Sequence, residues 1–137
     1  MAEPITVKLR ADVSEIARLA LAVADFARAH QLPDSVAFDV NLALEEIIVN
    51  TISYGYEDRS GHEIVVRLAL RDRQLTVEIE DDARPFNPLE VPEPDLSQPL
   101  EERRVGGLGI HLVRKLFEQL EYHYEAGRNI LVLRKRV

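Results

Sequence analysis

The chain has 137 residues, 46% of them hydrophobic, which is the size and composition of one ordinary domain with a single core. Its 24 acidic and 17 basic side chains give a formal net charge of −7, which disfavours binding to nucleic-acid phosphates and anionic membranes. Without cysteine, it can form neither a disulfide framework nor a thiolate metal site. The sequence opens without a leader-like apolar run, and no stretch approaches the length a bilayer requires, so we expect a cytoplasmic protein.

The chain begins with a predicted strand and a predicted helix. Residues 5–9 alternate apolar and polar side chains, which is typical of a strand with one buried face. Asp12 and Glu15 then have the spacing of a helix N-cap and its reciprocal partner. The Ala- and Leu-rich run VSEIARLALAVADFARAH that contains Glu15 is therefore predicted to be the first helix.

A second helix and a hairpin follow. Pro33 interrupts the helical pattern, Asp34 or Ser35 can cap a new helix, and its apolar stripe ends at Gly55. The runs HEIVVRLALRD and QLTVEIED are strand-like, and their connection through Asp-Arg predicts an antiparallel hairpin. Asp-Arg is not the Asn-Gly type of turn that such hairpins favour.

The last third of the chain begins with a long irregular segment. Residues 82–105 hold five of the seven prolines and show little periodicity, which indicates a lid, a binding loop or disorder. A third helix, a strand, a turn at Gly127 and a final strand follow. The elements together predict one domain over residues 1–137: an α+β two-layer sandwich with three helices on one face of a mixed, mainly antiparallel sheet.

Half of the six glycines lie at the start of the third helix, at Gly106, Gly107 and Gly109. Glycine lets the backbone approach a phosphate without a Cβ clash, and a helix N-terminus favours an anion. The alternative is that these glycines only let the loop turn sharply into the helix. On this motif alone, both explanations stay open.

Two further sites carry polar side chains among apolar neighbours. Glu46 and Asn50 are four residues apart and lie on one face of the second helix, where they either contact solvent or bind a polar group. Asp81 and Asp82 follow the second strand of the hairpin, where they can cap a turn or accept a hydrogen bond from a ligand amine. Each pair by itself favours the structural role.

In order, the segments LALEEIIVNTISYGY, EDDARPFNP and RRVGGLGIHLVRKL resemble the N box and the two glycine boxes of the GHKL ATPase superfamily. The resemblance runs over nearly the whole chain and is closest to stand-alone anti-sigma factors that act as serine-protein kinases. It implies that Asn50 binds the Mg²⁺ that bridges the triphosphate of ATP. Glu46 then matches the general base, and Asp81 the aspartate that recognises the adenine amino group. The second glycine box would contact the phosphates and let residues 82–105 close as an ATP lid; it comprises Gly106, Gly107, Leu108, Gly109 and Ile110.

Three positions depart from the family pattern. Ala83 stands in the nucleotide site where the first glycine box usually has glycine, which leaves either an ordinary φ or a less close approach to the nucleotide. Tyr54 replaces a frequent histidine, and Val132 stands where we expect a threonine that helps to hold the adenine. The departures predict weaker nucleotide binding and make catalysis less secure than binding.

The resemblance implies a magnesium-dependent kinase that phosphorylates a serine of an anti-anti-sigma protein of the STAS type and sequesters a sigma factor when that partner is absent. The alternative is an ATP-binding switch that sequesters a regulatory protein without phosphorylating it. The catalytic domain of a histidine kinase fits poorly, because no dimerising hairpin with a phosphoacceptor histidine precedes the domain. The oligomeric state is left open, a homodimer included.

Overall fold

The computed structural model describes residues 4–56, 61–90 and 107–137. Among these residues, no helix is both long and apolar enough to cross a lipid bilayer. In chain order, the helices and strands are β1 Ile5–Arg10, α1 Ile16–Ala29, α2 Asp34–Tyr54, β2 Glu63–Arg71, β3 Gln74–Asp81, α3 Gly107–Leu116, β4 Gln119–Glu125 and β5 Arg128–Arg136.

The five strands form one sheet in the order β1-β2-β3-β5-β4, and every neighbouring pair is antiparallel. Side chains of alternate residues point to one face, where Val66, Ile79 and Leu131 lie next to one another in register. These residues join helix residues such as Leu44 and Val113 in one buried cluster. The predicted two-layer sandwich, with three helices on one face of the sheet, is confirmed.

The other face of the sheet carries charged side chains. Arg67 Nη1 lies 2.6 Å from Glu78 Oε2 and 3.1 Å from Glu80 Oε1, and Arg128 Nε lies 2.5 Å from Glu80 Oε2. Val132 pairs with Glu78 across β3 and therefore belongs to this face. The expectation that position 132 helps to hold the adenine is thus wrong, because β5 turns this side chain away from the helices.

Both hairpins turn on two residues with positive φ. Asp72 and Arg73 connect β2 to β3 with φ of 51° and 63°, and Ala126 and Gly127 connect β4 to β5 with φ of 51° and 77°. A type I′ turn requires positive φ at both central residues. Hairpins favour this turn because its twist matches the twist of the strands. The predicted hairpin of β2 and β3 is confirmed. Of the four turn residues in the two hairpins, three are neither glycine nor asparagine.

The start of α1 differs from the predicted cap. Asp12 caps a single 3₁₀ turn, Val13–Glu15, by accepting a 2.9 Å hydrogen bond from the Ser14 amide, and α1 begins only at Ile16. The Glu15 side chain does not accept a hydrogen bond from the Asp12 amide, as a capping-box partner would. It accepts from the Arg10 amide at 3.0 Å and from Arg18 Nε at 3.1 Å, because the tight turn directs its side chain back toward β1.

The start of α2 also differs from the prediction, whereas its end agrees. Pro33 is the N-cap residue, with an extended ψ of 152°, and its carbonyl accepts from the Val36 amide at 3.0 Å. The prediction that Asp34 or Ser35 supplies the cap is therefore wrong, because both residues are already helical. Gly55 is the C-cap, as the sequence indicates.

Candidate nucleotide-binding site

A cavity of about 570 Å³ lies between α2, α3, the ends of β3 and β5, and the segment 83–90. Its volume is within the range of small-ligand pockets. Apolar side chains from four elements form its walls: Ile47, Ile79, Ile110 and Leu131. Polar groups also reach it, among them Asn50, Asp81 and Asn129.

Asp81 is the last residue of β3, and its carboxylate is buried in the cavity wall with 6% of the residue exposed. Its Oδ1 accepts from the Ala83 amide at 3.0 Å and from Asn129 Nδ2 at 2.9 Å, and Oδ2 takes part in neither bond. Burial raises the pKa of Asp81, and the bonds from Asn129 and Ala83 oppose that shift without cancelling it. A buried carboxylate with one oxygen outside these bonds suits an amino group of a ligand.

Asn129 is a site residue that the sequence reasoning missed. It is 6% exposed, lines the cavity and lies opposite Asp81 in the β3–β5 register. The available signal was its phase on β5, because Asn129 points to the same side as Leu131 and Leu133. A polar side chain at an inward position of a strand needs polar partners, and it marks a site for that reason.

The segment after β3 is held against the end of α2. The Arg84 amide donates to the Gly55 carbonyl at 3.0 Å, and Arg84 Nη2 donates to the Tyr54 carbonyl at 2.6 Å. A Cβ built on Gly55 would lie 2.7 Å from the Ala83 Cβ and 2.6 Å from the Thr51 carbonyl oxygen. Ala83 has no positive φ and lines the cavity, so of the two outcomes expected at this position the ordinary φ is correct.

Glu46 and Asn50 lie on neighbouring turns of α2, and both are partly buried. Asn50 lines the cavity together with Tyr54, whereas Glu46 is outside its lining. Glu46 instead lies against α3, where a Cβ built on Gly109 would come within 2.3 Å of Glu46 Oε2 and 3.2 Å of its Cδ. Gly109 therefore leaves the space that the Glu46 carboxylate fills.

The second glycine box coincides with the start of α3. Gly107 and Leu108 are in its first turn, and Ile110 lines the cavity, so this end of the helix lies beside it. Gly106 is outside the described residues, as are residues 91–105 of the expected lid. Of the residues singled out from the sequence, the structure thus brings Asn50, Asp81, Ala83 and Ile110 to one cavity and places Glu46 against Gly109.

The comparison with protein families gives one match over most of the chain. The model of the histidine kinase-like ATPase domain matches residues 9–135. The chain belongs to this family. Membership implies ATP as the bound nucleotide, and the cavity fits it, because apolar walls and a buried carboxylate are suited to a flat base that carries an amino group.

Relatives of the chain include a serine-protein kinase and an anti-sigma factor. The serine-protein kinase RsbW of Listeria monocytogenes serovar 1/2a is 24% identical over 98 residues, which are 69% of this chain and 62% of that protein. The chain therefore spans less than two thirds of the length of this relative. The anti-sigma F factor of Clostridium acetobutylicum is 25% identical over 105 residues, 72% of this chain and 68% of that protein.

A solved structure with the same fold contains the RsbU and RsbW domains of Rv1364c from Mycobacterium tuberculosis. It superposes with a TM-score of 0.72 over 98% of this chain and 32% of that chain, at 17% sequence identity. At this identity, the similarity concerns the fold alone. It agrees with the α+β sandwich of this chain.

Proposed function

We propose that the chain is a magnesium-dependent protein kinase that transfers the γ-phosphoryl group of ATP to a serine of an anti-anti-sigma protein of the STAS type. In the absence of that partner, it sequesters a sigma factor. The observation that carries the proposal is the cavity beside the start of α3 that both Asn50 and the buried Asp81 line. The names of the relatives, a serine-protein kinase and an anti-sigma factor, support the same function.

In this proposal, Asp81 accepts a hydrogen bond from the adenine amino group while the apolar walls of the cavity cover the base. Asn50 contributes an amide oxygen to Mg²⁺, which prefers oxygen ligands and takes others from phosphates and water. When bound, the metal would supply positive charge that offsets the charge of the phosphates. Residues 82–105 form the lid over the site; of these, residues 82–90 are described.

Glu46 is the general base of the proposed reaction. The serine Oγ forms a bond to the γ-phosphorus, the bond from that phosphorus to the bridging oxygen breaks, and ADP leaves with the electron pair. The serine proton moves to the Glu46 carboxylate. Glu46 has no side-chain hydrogen bond or ion pair with the other described residues, which leaves its carboxylate free for this proton.

A second candidate function is an ATP-dependent switch that binds its partner without phosphorylating it. The position of Glu46 favours this alternative, because its carboxylate lies against Gly109 and outside the lining of the cavity. Such a switch would still bind ATP through Asp81, so nucleotide binding does not separate the two functions. Transfer of phosphate to a partner protein separates them.

The test is incubation of the protein with γ-labelled ATP, Mg²⁺ and the candidate anti-anti-sigma proteins encoded near its gene. We expect label on a partner serine. We also expect Glu46→Ala to slow transfer about 10²- to 10⁴-fold with ATP binding retained, as for the loss of a general base. Asn50→Ala should weaken Mg-ATP binding itself. Glu45→Ala, at the exposed neighbouring position, is the matched control and should leave both unchanged.

Two results would contradict the kinase. If an ATP-dependent complex forms with a partner and no label is transferred, the protein is the switch. If Glu46→Ala transfers label as fast as the unmodified protein, Glu46 is not the base. Absence of any ATP binding would contradict both functions.

A further inference from the structure

We propose that Asn129 determines the selectivity of the site for adenine, by holding the Asp81 carboxylate so that Oδ2 is presented to the amino group of the base. This inference rests on the proposed ATP site and adds a residue to it. Asn129 acts as a positioning residue, because its contacts in the described structure are with Asp81 and the surrounding chain.

The side-chain amide of Asn129 is held from both ends. Nδ2 donates toward three acceptors: Asp81 Oδ1 at 2.9 Å, the Arg84 carbonyl at 3.0 Å and the Ala83 carbonyl at 3.2 Å. Oδ1 accepts from the Phe86 amide at 3.1 Å and from the Tyr122 hydroxyl. A flipped amide would place its oxygen against three acceptors, so the network admits one orientation and keeps a donor on Asp81.

The donated bond fixes which oxygen of Asp81 is available. Oδ1 receives the Asn129 and Ala83 donors, which orients the carboxylate and leaves Oδ2 outside the pair. An ionised Oδ2 attracts the amino group of adenine and repels the carbonyl that hypoxanthine and guanine carry at the same ring position. A protonated carboxyl group would pair with either base, and a rotated carboxylate would no longer present Oδ2 to the amino group. Selectivity therefore requires Asp81 to be both oriented and ionised.

Asn129 also favours the ionised form. Burial and the neighbouring Asp82 raise the pKa of Asp81, whereas the Asn129 bond, the Ala83 amide and Arg128 lower it. The bond from Asn129 comes first among the groups that oppose the burial. Without this donor, only the Ala83 amide and Arg128 would lower the pKa of Asp81 against the effect of burial. Asp81 would then bind a proton more readily.

The same amide ties the segment after β3 to the base site. Its contacts with Ala83, Arg84 and Phe86 span the residues that line one side of the cavity, and Tyr122 joins them to β4. Loss of Asn129 could therefore disturb the cavity as a whole. A useful test must separate this general effect from the loss of selectivity.

The test compares Mg-ATP with Mg-ITP, whose base has a carbonyl in place of the amino group, by calorimetry. For Asn129→Leu, which keeps the size and removes the hydrogen bonds, we expect ATP affinity to fall about 10- to 100-fold, the effect of losing a bond to a charged group. ITP affinity should change less, so the ratio of the two affinities falls toward one. A residue that only supports the cavity would lower both affinities equally and leave the ratio unchanged.

Val132→Thr is the matched control, because Val132 is equally buried on the same strand and points to the opposite face. It should leave the ratio at the value of the unmodified protein. Circular dichroism melting of every variant shows that the fold is retained under the conditions of the titration.

A second variant, Asn129→Asp, keeps the shape of the amide and places a second carboxylate beside Asp81. Such a pair shares a proton, so its apparent pKa rises. We expect ATP affinity to be low at pH 8 and to recover toward pH 5, where one carboxyl of the pair donates to the other. The other charged and titratable groups that act on Asp81, namely Asp82, Arg128, Tyr56 and Tyr122, are the same in both proteins.

The outcomes distinguish the two proposals. If the unmodified protein prefers ATP and both Asn129 variants keep that preference at every pH, the role of Asn129 is refuted and the nucleotide site stands. If the unmodified protein binds both nucleotides equally, Asp81 does not select adenine and the inference is refuted while the nucleotide site stands. If it binds neither, the nucleotide site itself is wrong and the inference falls with it. If Asn129→Leu does not fold, the pH profile of Asn129→Asp decides.

Discussion

Replacement of Gly109 by alanine tests the contact between α2 and α3. The added Cβ would lie 2.3 Å from Glu46 Oε2, 3.2 Å from Glu46 Cδ and 3.4 Å from Glu46 Cβ. The first distance is far inside van der Waals contact, whereas the last is ordinary contact. Because the overlapping atoms are the end of a flexible side chain, the Glu46 carboxylate must turn aside while the two helix backbones can stay in place.

Two opposing effects set the change in the free energy of unfolding. Alanine is about 1 kcal/mol more favourable than glycine within a helix. Forcing Glu46 out of its rotamer costs about 0.5–1.5 kcal/mol. The two nearly cancel when Gly109→Ala is made in the protein that keeps Glu46. When Glu46 is also replaced by alanine, only the favourable effect remains, and Gly109→Ala should stabilise the protein by up to about 1 kcal/mol.

Urea unfolding of the unmodified protein, the two single variants and the double variant measures this coupling as a double-mutant cycle. We expect a coupling free energy of about 0.5–1.5 kcal/mol between positions 46 and 109, equal to the rotamer cost. The same cycle with Glu45→Ala, at the exposed neighbouring position, should be additive. Additivity of Gly109→Ala and Glu46→Ala within about 0.3 kcal/mol would refute the contact.

Three further predictions concern single positions. Asp81→Asn should weaken ATP binding with little loss of stability, as calorimetry and thermal melting would show; equal affinity of the unmodified protein for ATP and GTP would contradict this role. Gly55→Ala should lower the free energy of unfolding by about 1–3 kcal/mol, as for overpacking, because the new Cβ meets the Thr51 carbonyl; an unchanged urea midpoint would argue against the fit. Arg18 and the Arg10 amide hold the pKa of Glu15 at about 2, below its usual 4.5. Glu15 thus stabilises the fold above pH 4.5 and loses this effect as the pH falls toward 2. Glu15→Gln should therefore be less stable than the unmodified protein at pH 7, with the difference shrinking over that window; a difference independent of pH would exclude the ion pair as its cause.

Periodicity predicts the elements of this fold well, because burial of one face imposes it directly. The alternation from Ile5 and the apolar stripe that ends at Gly55 both became the predicted strand and helix. Helix caps are less predictable, since several side chains near a helix start can form a hydrogen bond with its free backbone amides. Glu15 has the spacing of a capping-box partner, yet it bonds to the Arg10 amide, which a neighbouring strand brings into reach.

The site was only partly visible in the sequence. The motif order indicated Asn50 and Asp81, which the fold brings to one cavity from a helix and a strand distant in sequence. Asn129 has no local motif, and its role depends on the β3–β5 register that sets it opposite Asp81. The same register turns Val132 to the outer face. A shift of one residue exchanges the two faces of a strand, so a family position carried over without the register can land on the wrong side.

The most direct test of the account is a titration of the ¹⁵N-labelled protein with Mg-ATP, followed by amide chemical shifts. The account predicts saturable shifts at the cavity, centred on Asn50, Asp81 and the 83–86 segment, with little change at Val65 and Val132 on the outer face of the sheet. Removal of the Asp81 carboxylate by Asp81→Asn should weaken this response. Shifts confined to the outer face, or none at millimolar Mg-ATP, would contradict the assignment of the cavity as the nucleotide site.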